Sequence, residues 1–198
     1  MAGTRAPRES FAEKRERRAA VDDPAVVLEA AARFLEVRSR SVSEVRRRLG
    51  GAGYRIDLVE GAIARMTELG MLDDEVFARA WVESRDRARP RGERAIREEL
   101  RLKGIDRETV DVVLGERRDR AAEAGSTGVD GEDVALASAD RTAAERLLAK
   151  NARALARVAD PRKRRQRAYA LLARHGFDPE TCRDVAATLA DAPDDGSA

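Results

Sequence analysis

The sequence holds very little of the chemistry on which disulfides, metal sites and base-stacking surfaces depend. Its 198 residues include one cysteine, Cys182, and one histidine, His175, and aromatic residues make up 4%. One cysteine cannot form an internal disulfide, and this pair cannot supply the usual ligand set of a transition-metal site. With so few rings, stacking on the bases of a single strand is not expected. We therefore predict no metal and no other cofactor.

Long apolar segments are also missing. No stretch approaches the roughly 20 apolar residues that a membrane-spanning helix needs. The first residues, rich in Arg, Glu and Lys, have no apolar segment of the kind found in secretory signals. The single cysteine fits a reducing compartment. The sequence thus predicts a cytoplasmic protein that does not bind membranes.

Catalytic motifs are absent too. The glycine-rich segment 125–131 is not followed by the Lys-Ser/Thr of a phosphate-binding loop, and no carboxylate lies beside a group that would activate it. His175 is expected at a helix end, as a cap or surface residue. Cys182 and Trp81 are expected in the core, because each lies on an apolar helical face. We therefore predict that the protein is not an enzyme.

What the sequence does contain is charge, arginine and alanine. Charged residues make up 38% of the chain, only four of its 39 basic residues are lysine, and the net charge is +2. Because alanine buries little surface, we expect several small helical units rather than one large core. All six prolines lie between or at the ends of segments with helical apolar spacing, and alternating strand patterns are absent. The predicted fold class is all-α.

One motif occurs three times. Each copy has a leucine, a glycine four residues later and then a large apolar residue. The copies are Leu49…Gly53-Tyr54, Leu100…Gly104-Ile105 and Leu172…Gly176-Phe177. Such a motif predicts a helix that ends in a left-handed glycine, with the apolar residue packed back on the last turn. Apolar residues six and nine positions after each glycine mark the core face of a following helix. Three copies indicate a repeat array.

Capping residues predict where several of these helices begin. Ser41 and Glu44 have the spacing of a capping box. Asp106 and Asp178 occupy equivalent N-cap positions in the second and third copies. The first copy has an arginine at the equivalent position, so Asp57 is the expected cap there.

One further helix precedes each copy, and we place these helices at 24–38, 73–88 and 139–158. The nine helices form three units of three, predicted to make an elongated, curved array. The glycines are 51 residues apart between the first two units and 72 apart between the last two, and the excess is rich in Gly and Asp. The predicted boundaries are a disordered charged extension at 1–22, three-helix repeats at 23–71, 72–119 and 138–190, a flexible acidic linker at 120–137 and a disordered acidic tail at 191–198.

Basic residues cluster on the predicted helices. Arg94, Arg97 and Arg101 fall within about 60° of each other around one helix, opposite Ile96 and Leu100. A run of cations without an acid opens the middle helix of the third unit. Such faces usually meet phosphate or an acidic protein surface, although a solvated face with ion pairs to nearby glutamates is the alternative. The residues predicted to contact a partner or DNA are Arg46, Arg47, Arg94, Arg97, Arg101, Lys103, Arg162, Lys163, Arg164, Arg165 and Arg167.

In order and spacing, these features resemble the RecX family, regulators of the recombinase RecA. The resemblance covers about residues 26–190, and only the linker interrupts it. The acidic linker and the charged N-terminal extension are unusual for the family. The residues that carry the resemblance are Arg38-Ser39-Arg40-Ser41-x-x-Glu44-x-Arg46-Arg47-x-Leu49, Leu69-Gly70-Met71-Leu72-Asp73-Asp74-x-x-Phe77-Ala78, Gly92-x-x-x-Ile96-x-x-Glu99-Leu100-x-x-Lys103-Gly104-Ile105 and Arg174-His175-Gly176-Phe177.

The resemblance implies a non-catalytic protein that binds the RecA filament on single-stranded DNA. Members of the family restrain the ATPase, strand-exchange and coprotease activities of RecA, and so damp recombinational repair and the SOS response. It leaves open whether the protein caps filament ends or lies in the groove, which repeat dominates, and whether the basic residues meet protein or phosphate. We expect a monomer. The alternatives are a helical-repeat protein that binds DNA directly and an adaptor whose arginine faces are simply solvated.

Overall fold

The structure is a computed structural model that describes residues 9–125 and 138–190. Within these two segments all regular structure is helical, which confirms the predicted class. Two compact units are present: Met1–Phe77 with Lys103–Ile105 (unit 1), and Ala78–Leu102 with Asp106–Ala198 (unit 2). The helices are α1 (Phe11–Ala19), α2 (Pro24–Leu35), α3 (Val42–Ala52), α4 (Ile56–Glu68), α5 (Asp74–Ala88), α6 (Glu93–Leu102), α7 (Arg107–Gly125), α8 (Ser138–Ala156), α9 (Pro161–Arg174) and α10 (Pro179–Ala187), with a 3-10 helix at Thr188–Ala190.

Unit 1 is built on α2, α3 and α4. Both hydrogen bonds of the predicted capping box are present at the start of α3: the Ser41 side chain accepts from the Glu44 N–H, and the Glu44 carboxylate accepts from the Ser41 N–H. Apolar residues at helical spacing close the core between the three helices. The buried cluster consists of Val27, Ala31, Val45, Leu49, Val59, Ala62, Ile63, Met66 and Leu72.

The start of α4 differs from the prediction. Arg55, not Asp57, is the N-cap residue, and it makes no side-chain capping bond. Asp57 lies in the first turn, where its charge is favourable near the positive end of the helix dipole. There its carboxylate accepts a hydrogen bond from the Arg55 guanidinium at 2.7 Å.

A helix also occupies part of the segment that was predicted to be disordered. Residues 11–19 form α1, which begins with a complete capping box between Ser10 and Glu13. This helix buries none of its residues and packs closely on the end of α3, where a Cβ on Gly53 would lie 2.8 Å from the Arg15 carbonyl oxygen. High charge alone suggested disorder, but a local cap and one close helix contact outweigh it. Residues 1–8 of the same prediction lie outside the described residues.

Unit 2 contains the remaining helices, and its largest core lies between α8, α9 and α10. That core includes Leu148, Leu172, Phe177 and Val185. Helix α7 continues to Gly125, so the prediction that a linker begins at residue 120 is wrong for 120–125. The rest of the predicted linker, 126–137, and the predicted tail at 191–198 lie outside the described residues.

The three aligned glycines have the predicted left-handed conformation. Their φ angles are 104° at Gly53, 79° at Gly104 and 83° at Gly176, which an L side chain rarely adopts. Each also receives a close neighbour: a Cβ on Gly104 would lie 2.3 Å from Ser43, and one on Gly176 would lie 2.4 Å from Ala95. These glycines therefore end a helix and admit another element at the same point.

Two junctions within the units use the same hydrogen bond. In unit 1 the Ser41 hydroxyl donates to the Lys103 carbonyl at 2.6 Å, and in unit 2 the Gly92 N–H donates to the His175 carbonyl at 3.1 Å. In both cases the acceptor is the residue just before an aligned glycine. The contact recurs because the repeats share one register.

A second pair of contacts follows the same register. The Val42 N–H at the start of α3 donates to Asp74 at 2.9 Å, and the Glu93 N–H at the start of α6 donates to Asp140 at 2.9 Å. Free N–H groups at a helix N-terminus need acceptors. In both places a carboxylate from the first helix of the next repeat supplies one.

Candidate functional site

The predicted arginine stripe on α6 is largely neutralised. Arg97 donates to Asp111 on α7 and, at 3.2 Å, to Glu93. Arg101 forms an ion pair with Glu98 at 2.7 Å. The Asp111 and Glu98 carboxylates raise the pKa values of Arg97 and Arg101 respectively. Two of the three stripe residues are therefore engaged within the protein.

Unit 1 has the same arrangement. Arg46 on α3 donates to Glu60 on α4 at 2.6 and 2.8 Å, and Lys103 pairs with Glu44 at 2.7 Å. Burial opposes ionisation of Glu44, but hydrogen bonds from Arg38, Lys103 and the Ser41 N–H lower its pKa to about 2. Of the residues predicted here, only Arg47 is exposed with no ion pair among the residues that the structure describes.

The two cross-helix pairs are copies of one another. The register that aligns Arg46 with Arg97 also aligns Glu60 with Asp111, 51 residues further on. The sequence contained this signal, because the acids occupy the same repeat position. In the third repeat the two equivalent positions hold Tyr169 and Arg183, so the pair cannot form there.

The basic run on α9 is exposed and largely unneutralised. Asp160 caps this helix by accepting from the Arg162 and Lys163 N–H groups, so its carboxylate serves the backbone. In the described part of the chain the side chains of Arg162, Lys163, Arg165 and Arg167 make no ion pair, and all four are exposed. The half-buried Arg164 differs from them, because it donates to the Val158 carbonyl at 3.0 Å.

Three cations share one side of α9. Lys163, Arg167 and Arg174 fall within about 40° of each other around the helix, opposite the buried Ala168 and Leu172. Arg174, which the sequence reasoning did not select, is also exposed and has no ion pair among the described residues. We call these three residues the α9 basic face. It is the most strongly cationic face among the predicted positions.

Arg94, the third residue of the α6 stripe, lines a cleft of about 380 Å³ in unit 2. Arg118 lies beside it, but so do the carboxylates of Glu93, Asp140 and Asp178. The cleft thus holds as much negative as positive charge. It is not a site for an anion.

The residues weighed for catalysis and core packing are placed as follows. Cys182 is fully buried, as predicted, and burial raises the pKa of its thiol. His175 is the C-cap residue of α9, as predicted. Trp81 is only half-buried, and its indole N–H donates to Glu99 at 2.8 Å, so the core assignment was wrong. Across residues 9–125 and 138–190, no group of three or more His, Cys, Asp or Glu side chains is placed to hold a metal.

The sequence reasoning also missed a cluster of arginines around an aromatic ring in unit 1. The Arg40 and Arg48 guanidinium carbons lie 4.2 and 5.6 Å from the centre of the Phe34 ring. Cation–π contacts of this kind hold a guanidinium in place. Phe34 ends α2 and Arg48 lies on α3, so no local spacing connects them.

A buried arginine was missed as well. Arg117 on α7 is 3% exposed and donates to Asp86 on α5 and Asp140 on α8. The aspartates raise its pKa against the opposing effect of burial. Arg117 therefore joins three helices of unit 2.

Comparison with known proteins agrees with this architecture. Tandem three-helix units with arginine-rich exposed faces define a class of helical-repeat protein. Residues 28–66, 73–114 and 139–185 match the first, second and third three-helix domains of RecX. The chain therefore belongs to the RecX family, a family of regulatory proteins.

Individual relatives cover most of the chain. The regulatory protein RecX of Mycolicibacterium vanbaalenii is 33% identical over 159 residues, which is 77% of this chain and 76% of that protein. RecX of Mycobacterium avium is 31% identical over 159 residues, covering 80% and 82%. The crystal structure of RecX from Lactobacillus salivarius has a TM-score of 0.61 at 20% identity, over 85% of this chain and 97% of the other. The structural likeness supports the three-domain fold.

None of the described helices is long and apolar enough to span a bilayer.

Proposed function

We propose that the protein binds the RecA filament on single-stranded DNA and inhibits its ATPase, strand-exchange and coprotease activities. Recombinational repair and the SOS response are then damped in the cytoplasm where the filament forms. Membership in a family of regulatory proteins supports a regulatory role. The unpaired α9 basic face is the observation that supports a filament contact, because it offers exposed positive charge to acidic protein or to phosphate.

This proposal gives most weight to the third repeat. The α6 and α3 arginines are held by acids of their own unit, whereas Lys163, Arg167 and Arg174 are not. Exposed ion pairs contribute little to stability, but each pair must be broken before its arginine can serve a partner. Arg94, Arg162 and Arg165 remain additional contacts in the proposal.

Adding the protein to RecA on single-stranded DNA, below one molecule per recombinase, is expected to slow ATP hydrolysis. A titration that leaves hydrolysis and strand exchange unchanged would refute the proposal. Equal affinity for naked DNA with and without RecA, lost steeply with added salt, would favour direct DNA binding as the function.

The variant K163Q/R167Q/R174Q tests the site. It removes three unpaired charges, and inhibition is expected to weaken by at least tenfold in the concentration required, because each charged contact contributes about 0.5–1 kcal/mol. The matched control is R101Q/R107Q/R141Q, which removes three exposed arginines of unit 2 that pair with acids on their own helices. Equal inhibition by the two variants would exclude the α9 basic face.

A further inference from the structure

We propose that the first repeat carries a phosphate-binding surface for nucleic acid, formed by Arg40, Arg48 and the neighbouring Gly51. This surface shares no residue with the α9 basic face. Its binding requires nucleic acid alone, so it stands independently of the filament contact proposed above. We call it the Phe34 surface, after the ring that supports it.

The geometry presets the donors. Both guanidinium groups lie over one ring, at 4.2 and 5.6 Å from its centre. A guanidinium stacked on an aromatic ring keeps its N–H groups at the edge of its plane, where they match the oxygens of a phosphate. Because stacking already restricts the two side chains, less conformational entropy is lost when they bind.

The local charge favours an anion. Neither Arg40 nor Arg48 forms an ion pair with any residue in the described segments. Burial and the positive charges of Arg38 and Arg48 lower the pKa of Arg40, opposed by Glu44. Glu44 already accepts hydrogen bonds from Arg38 and Lys103. Four cations thus surround one carboxylate, and a bound phosphate would offset their repulsion.

Arg40 carries a second sign of an incomplete environment. Its Nε atom is buried and has no hydrogen-bond acceptor among the described residues. Buried donors are almost always satisfied. The orphaned donor indicates that the Arg40 side chain is held by the ring and its surroundings rather than by an acid of the protein.

Gly51 supplies an independent observation. It lies one turn beyond Arg47 and Arg48 on the same side of α3, and it is exposed. A Cβ at this position would meet nothing within 4 Å, and the residue is helical, so neither packing nor backbone conformation requires glycine there. Glycine inside a helix lowers stability. Its effect at this place is to leave the helix backbone open to close approach by an extended chain.

These features fit nucleic acid better than an acidic protein. The central part of a protein interface is depleted in charge and needs apolar anchors. Here the ring is covered by guanidinium groups, and what remains is arginine and exposed backbone. Phosphate groups dominate nucleic-acid binding, and arginine is suited to hold them at two oxygens.

Salt titration of the full chain with a fluorescent oligo-dT, measured by anisotropy without recombinase, tests the surface. The variant R40Q/R48Q is expected to bind more weakly, and the slope of log affinity against log salt should fall by about two, one for each lost phosphate contact. The control R33Q/R65Q removes two exposed arginines of unit 1 that pair with acids on their own helices. It should keep the wild-type slope.

A second variant separates binding from folding. G51A should raise the melting temperature, because alanine is the better helix former, and yet weaken oligo-dT binding without changing the salt slope. An unchanged slope in R40Q/R48Q would overturn the proposal, as would unchanged affinity in G51A. Competition by poly-glutamate as strong as that by unlabelled oligo-dT would assign the surface to acidic protein instead. No recombinase is present, so this result is independent of the ATPase titration.

Discussion

Arg117 shows how much one residue contributes when its charge is buried. Its guanidinium reaches Asp86 at 2.9 Å and Asp140 at 2.6 Å, and its side chain is 3% exposed. Taking a charge out of water is unfavourable, but the two carboxylates and the Arg91 carbonyl meet most of its donors. Removing the arginine would leave two carboxylates, of which Asp140 is the more buried.

We expect R117M to lower the free energy of unfolding at pH 7 by about 3 kcal/mol, because it leaves buried carboxylates without a counter-charge. Burial already raises the pKa of Asp140, and Arg117 opposes that effect. In the variant this pKa rises further. A carboxyl whose pKa is higher in the folded state loses stability as pH rises, so the deficit should shrink when the pH is lowered from neutral.

Urea unfolding followed by circular dichroism, at neutral and mildly acidic pH, measures both effects. R107M is the control, since Arg107 is 92% exposed. Loss of stability in R117M no greater than in R107M, or a deficit independent of pH, would show that the buried arginine is not compensating these acids.

At the scale of the helices, the repeat depends on glycines that both end a helix and admit a neighbour. Gly176 has a φ of 83°, and a Cβ there would lie 2.7 Å from the Ala95 backbone nitrogen. Gly115, in the middle of α7, has helical backbone and open space around the same position. The two residues are the same amino acid in the same unit, under opposite constraints.

G176A is therefore expected to destabilise the protein by at least about 2 kcal/mol, from backbone strain and displacement of α6. G115A should instead stabilise it by up to about 1 kcal/mol through helix propensity. Thermal unfolding of the two variants beside wild type measures the difference. Similar melting temperatures for G176A and G115A would contradict the role given to the aligned glycine.

Local signals explain why most helices could be predicted. The cap at Ser41, the aspartates before α7, α9 and α10, and the aligned glycines act within a few residues of the chain. The prediction was wrong where the deciding contact was tertiary. Helix α1 depends in part on α3, and Trp81 is drawn to the surface by Glu99, 18 positions away.

The predicted basic surface illustrates the same limit. Composition identified arginine-rich helices, but it could not distinguish engaged arginines from free ones. That distinction depends on the opposite helix: Arg46 meets Glu60 and Arg97 meets Asp111, in each case 14 residues further on. Comparing the repeats position by position would have found both pairs and their loss in the third repeat. Phe34 with Arg40 and Arg48 has no such repeat signal.

Over the whole chain, a net charge of +2 conceals an uneven distribution of free charge. Ion pairs repeated in the first two domains neutralise their equivalent arginines, and the third domain has lost the pair and gained exposed cations. In unit 1 the Phe34 surface is cationic for a different reason, because four cations share one carboxylate. A regulator that meets protein and DNA together would gain from two such surfaces, since weak contacts on one chain reinforce each other.

Combining the two sets of substitutions tests whether both surfaces serve the same complex. Sites that share no partners usually contribute additively to free energy. The affinity of R40Q/R48Q/K163Q/R167Q/R174Q for RecA filaments on single-stranded DNA should therefore fall by the product of the losses in the two parent variants. Binding is measured at one salt concentration by anisotropy of the labelled protein. If the combined variant binds no more weakly than the weaker parent, only one of the two surfaces contacts the filament, because the second set of charges then contributes nothing once the first is gone.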